Sequence, residues 1–275
     1  MSDDPRDGAS GDAAAPDADE LDGAAALGER ARARGRAARE ARGAPARPPS
    51  PLGWRIAVLV AAVVAGTYAW AARDAIAGEP VVYYAVLIPY GALAAGALYR
   101  LWSDGTLADR LRLRGGDFTI GAVTAAVLLV GGWLLGRLVA PSGSPRQLWA
   151  LRLEHQLGQP DALQHSVGLT AALLGIAICE ELVWRGLVLE LLAERVGPRL
   201  GWVLAALLYG AAFLPAAATL RVPIAGPNPL PVLGALGAGF VWSFLAARSG
   251  RLTPGVFSHA ALAYFGVAVF RVPPG

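Results

Sequence analysis

The chain has 275 residues, 55% of them hydrophobic and 16% charged, with a positive mean hydropathy and a net charge of +3. That is too apolar for a soluble domain of this size and predicts an all-α, polytopic transmembrane bundle. The single cysteine, Cys179, excludes an internal disulfide and any multi-cysteine metal site. All basic residues are arginine, and beyond one arginine-rich stretch nothing speaks for nucleic-acid binding.

Residues 1–50 are acidic up to Asp22 and then carry seven arginines, at 30, 32, 34, 36, 39, 42 and 47, among Ala, Gly and Pro. Few of them could build a core, so the segment reads as a disordered cytoplasmic tail. Its acidic start and lack of a small-residue cleavage site set it apart from a secretory leader. The arginines lie just before the first apolar stretch, where contact with anionic lipid contributes roughly 1 kcal/mol each.

About seven apolar stretches follow that are long enough to cross a bilayer: Trp54–Ala72, Val81–Leu101, Phe118–Val139, Ser166–Leu189, Leu200–Leu220, Leu230–Ala247 and Pro254–Phe270. Residues 51–165 form a first group of helices with an outer loop, and residues 166–271 form a second, the core. Gln147–Leu157 alternates Leu and Trp with polar residues and reads either as outer loop or as a re-entrant or amphipathic eighth segment. Small residues at helix spacing, Gly132 with Gly136 and Gly234 with Ala238, predict close helix packing.

Loop charges set the orientation. Arg110, Arg112 and Arg114 follow the second stretch, Arg195 and Arg199 the fourth, and Arg248 and Arg251 the sixth, whereas the alternate loops are poorer in arginine. The positive-inside rule then predicts a cytoplasmic N-terminus and an outside C-terminus.

The fourth stretch is broken by Glu180-Glu181-Leu182-Val183-Trp184-Arg185-Gly186. Ionised groups at membrane depth are costly unless paired or turned to a polar cavity, and so mark candidate sites. Glu181 and Arg185, four apart, share a helix face and can pair. Glu180 is rotated away by about 100° and is left for another role.

From about Gly168 to Phe270 the chain resembles the CPBP family of intramembrane proteases, which includes the CAAX prenyl endopeptidases and the bacterial Abi proteins. Three segments carry the resemblance. Glu180-Glu181-Leu-Val-Trp-Arg185 matches the family's Glu-Glu-x-x-x-Arg motif. Tyr209-Gly-Ala-Ala-Phe213 is similar to its Phe-x-x-x-His helix, and His259-Ala-Ala-Leu-Ala263 to its closing His-x-x-x-Asn helix. The resemblance implies peptide hydrolysis within the bilayer, without cofactor. Glu180 takes the general-base position, His259 that of an oxyanion donor, and Glu181 with Arg185 a supporting one. It also implies a bacterial inner-membrane location and a membrane-protein substrate; prenylated substrates belong to the eukaryotic branch.

Two positions depart from the pattern. Phe213 stands where the second-motif histidine would be, and Ala263 where the third-motif asparagine would be; Tyr209 for phenylalanine is a mild change. His165 is fifteen residues before Glu180, roughly 22 Å along a continuous helix, and His155 is further, so neither replaces the missing histidine. Glu180 and His259 both fall in the cytoplasmic half and are expected to share a cavity. One histidine and two carboxylates, one committed to Arg185, make a poor zinc site. Two readings follow: an intramembrane endopeptidase with a reduced constellation, or a catalytically degenerate scaffold that holds a transmembrane partner in the old cavity.

Overall fold

The computed structural model describes residues 51–269; the tail expected over residues 1–50 lies outside them. Besides a short 3-10 turn at Asp74–Ile76, ten helical elements follow in chain order. They are α1 (Gly53–Ala71), α2 (Val81–Ser103), α3 (Leu107–Leu111), α4 (Asp117–Val139), α5 (Gln147–Leu157), α6 (Pro160–His165), α7 (Val167–Val196), α8 (Pro198–Thr219), α9 (Leu230–Ser249) and α10 (Thr253–Val269). The described residues hold no sheet, only an isolated bridge from Val222 to Gly226.

Six helices, α1, α2, α4, α7, α8 and α9, are long and apolar enough to cross a membrane. The seventh expected span corresponds to α10, which is shorter: 12 residues of α-helix continued by 5 in a π-helical turn. The Gln147–Leu157 stretch is the 11-residue α5, roughly 16 Å long and too short to cross. It closes one end of the bundle through polar contacts to the end of α1 and the loop before α9. Gln156 Nε2 donates to Ala71 O at 2.6 Å, Trp149 Nε1 to Gly226 O at 3.2 Å, and Asn228 Nδ2 to Trp149 O at 2.8 Å.

The opposite end gathers the arginine-bearing loops. Arg110 pairs with Glu190 at 2.6 Å, and Leu252 N donates to Arg110 O at 2.9 Å. Buried Asp117 accepts from Thr253 Oγ1 at 2.7 Å, from Arg114 N at 3.0 Å, and from Arg251. One buried carboxylate thus ties the start of α4 to the start of α10.

α7 is the most buried of the long helices and packs against α2 and α10. Directly after Glu181 its backbone changes from α to a π-helical turn over Leu182–Val188, all buried. Such turns are rare and recur at functional sites.

The expected glycine packing needs correction. A Cβ added at Gly132, Gly136 or Gly234 would meet nothing within 4 Å, so these residues face open space. Other glycines bring the helices together. At Gly121 on α4 a Cβ would stand 2.7 Å from Phe257 Cβ on α10, and at Gly239 on α9 it would stand 2.9 Å from the Tyr209 ring. A small-residue spacing names a helix face but not what lies opposite it.

Candidate functional site

Glu180 and Glu181 end the regular part of α7, and both are buried. Burial obliges their oxygens to find partners, because an unpaired charge in a low-dielectric interior is strongly unfavourable. Glu181 does so as the spacing predicts. Its Oε1 accepts from Arg185 Nη1 at 3.0 Å and lies 3.0 Å from His259 Nδ1. The guanidinium is wholly buried between two rings, 4.7 Å from the Tyr209 centroid and 5.2 Å from that of Trp242. Stacking on aromatic faces suits arginine, and it covers the Nε and Nη2 groups that have no hydrogen-bond partner.

Glu180 points the other way, as the helical rotation requires. Its Oε2 accepts from Tyr209 Oη at 2.7 Å, and its Oε1 accepts from Tyr68 Oη. His259, on α10, turns Nε2 toward Glu180 Oε2 at 3.8 Å, too far for a direct hydrogen bond. Its ring lies flat on Trp242, centroids 3.9 Å apart and planes at 21°. Trp242 is itself held by its Nε1, which donates to Ser258 Oγ at 2.9 Å.

These residues sit at a cavity of about 520 Å³ whose wall includes Glu180, His259, Phe213 and Ala263. Much of the rest is aliphatic, and Leu128 and Gly132 of α4 and Leu233 and Gly234 of α9 contribute to it. Glycines without Cβ neighbours make that room. The structure therefore brings the four motif positions to one cavity. The other histidines stay away: His155 is exposed, and His165 turns Nδ1 to Asp161 O.

Phe213 presents a ring instead of an imidazole. It stacks on Tyr68, centroids 4.4 Å apart, and meets Tyr209 edge-on at 5.4 Å. At Ala263 a methyl group stands in place of an amide. Among the described residues no three His, Cys, Asp or Glu side chains come together to hold a metal ion.

Sequence reasoning missed three participants. Tyr209 is more than a mild replacement, since phenylalanine has no hydroxyl to donate to Glu180. Tyr68 and Trp242 lie outside every motif. The available signal was a buried phenol in an apolar helix, which ordinarily finds a polar partner.

Residues 163–265 match the family described as type II CAAX prenyl endopeptidase, Rce1-like. The resemblance is thereby borne out over that part of the chain. No curated protein and no solved structure matches the chain.

Proposed function

We propose that this polytopic membrane protein, with a CAAX-protease-like core, is a binding protein whose hydrolytic site is retained only in part. One observation carries the reading: both oxygens of Glu180 already accept from tyrosine hydroxyls, while Phe213 and Ala263 offer only carbon where the family's mechanism needs polar groups. A general base has to reach the water it activates, and a developing oxyanion needs aimed donors. The occupant would be a transmembrane or membrane-associated protein segment held at the cavity between α4 and α9. In this reading the protein lies in a bacterial inner membrane with its N-terminus cytoplasmic; the gathering of arginine-bearing loops at one end supports that orientation.

A second reading has one observation in its favour. His259 Nε2 and Glu180 Oε2 are 3.8 Å apart, so a single water can touch both, as in an endopeptidase with Glu180 as base and His259 beside it.

One experiment separates them. A membrane protein is co-expressed with the natural chain, with Glu180→Gln, and with Phe213→His/Ala263→Asn. The binding reading expects retention of the partner by the first two, without cleavage, and cleavage only by the third, where each restored donor is worth roughly 10²–10³ in rate. Cleavage by the natural chain at the restored rate, abolished by Glu180→Gln, overturns it.

A further inference from the structure

One element that reaches into the motif cluster from outside is α1. It precedes residues 163–265, yet its Tyr68 hydroxyl bonds Glu180 across 112 positions of sequence. The ring of Tyr68 is not free to swing. Phe213 stacks on one side at 4.4 Å, and Tyr90 of α2 meets it edge-on at 6.0 Å. Tyr90 is in turn fixed by Trp184 Nε1, which donates to its hydroxyl at 3.0 Å. A chain of four aromatic side chains from α1, α2, α7 and α8 thus aims one phenol at one carboxylate.

We infer that Tyr68 and Phe213 together form a built-in plug, in which the Phe213 ring seats Tyr68 so that its hydroxyl occupies Oε1 of Glu180 and keeps other donors from it. This rests on the binding reading above and explains why losing the second-motif histidine is more than the loss of one polar group: the ring that replaces it supports a competitor for the carboxylate. Phenol donors already in place need no reorganisation, whereas a water or carboxyl-directed reagent has to displace them in a cavity with few other polar partners. Tyr209 bonds the other oxygen from α8. Removing Tyr68's hydroxyl alone therefore frees one oxygen and leaves the carboxylate anchored.

The test uses the full-length protein in detergent or vesicles and needs no knowledge of a partner. Dicyclohexylcarbodiimide, an apolar reagent, adds to protonated carboxyl groups in lipid-facing cavities and leaves an acylurea, which mass spectrometry locates on the peptide carrying Glu180 and Glu181. Glu180→Gln identifies which of the two is modified. Tyr68→Phe, which keeps the ring, should raise the labelling rate of Glu180 by about tenfold, the factor associated with one hydrogen bond. Phe213→Leu, which keeps the hydroxyl but removes its seat, should raise it by a smaller factor. Equal rates in the natural chain and Tyr68→Phe overturn the plug. Should Tyr68→Phe fail to fold, an unchanged rate in Phe213→Leu overturns it alone. Cleavage of a partner by the natural chain would defeat the binding reading but leaves this comparison standing, so the two failures are separable.

Discussion

His259 Nδ1 lies 3.0 Å from Glu181 Oε1. Glu181 Oε1 already accepts from Arg185 Nη1 and stands as an acceptor here too, so Nδ1 carries the hydrogen of this bond. In the neutral ring Nε2 is then a lone pair facing Glu180. Such a nitrogen can accept from a water, and it donates to an oxyanion only once protonated. The expected outcome is an Nδ1–H tautomer for His259, read by nitrogen NMR of labelled histidine in a chain carrying His155→Gln and His165→Gln. An Nε2–H signal at neutral charge would contradict the arrangement.

Arg185→Ala should destabilise the protein by about 3–5 kcal/mol, because it leaves the Glu181 carboxylate buried with one partner fewer. Arg185→Lys should recover only part of the loss, since an ammonium lacks the flat face that fits between Tyr209 and Trp242. Thermal unfolding in detergent checks both; wild-type behaviour of Arg185→Ala would refute the first.

Gly255→Ala should cost about 1–3 kcal/mol through overpacking. A Cβ there would stand 2.7 Å from Glu181 Oε2, and that side chain cannot swing aside because its other oxygen holds Arg185 and His259. The control is Gly234→Ala, which faces open space inside α9 and should be neutral or stabilising by up to about 1 kcal/mol, since alanine is the better helix former.

Orientation is checked by cysteine labelling in intact cells after Cys179→Ala. A cysteine at Ser144, in the loop between α4 and α5, should react with an impermeant maleimide from outside, and one at Arg112 only after permeabilisation. A reporter active only in the periplasm, fused after Gly275, should be active. The reverse pattern would invert the bundle.

What could be read from the sequence was local. Apolar runs located the long helices because a bilayer demands length and composition together, and the four-residue spacing of Glu181 and Arg185 foretold their bond. The meeting of Glu180 with His259 followed from motif order, a property of the chain as a line. Tyr68 did not follow, because its contact with Glu180 has no period and joins helices that only tertiary packing brings together. The glycine faces were misjudged for the same reason: whether Gly132 meets a helix or a cavity depends on where α9 stands, which Gly132 does not encode.

The π-helical turn over Leu182–Val188 has a consequence for how this chain can vary. Its wider i→i+5 bonding accommodates a residue more than the α-turn it replaces. Upstream of it lie the two carboxylates. Downstream, Glu190 and Glu194 meet Arg110 and Arg100 at the rim. One residue more between the carboxylates and the rim would rotate one group against the other by about 100°, so that either the carboxylates leave Tyr68, Tyr209 and His259 or the rim pairs come apart, whereas one residue fewer inside the turn returns it to regular α-helix and keeps the two in phase. Apart from Trp184 and Arg185, whose side chains bond Tyr90 and Glu181, changes of side chain there alter packing; the turn itself is where α7 can lose a residue without rephasing site against rim.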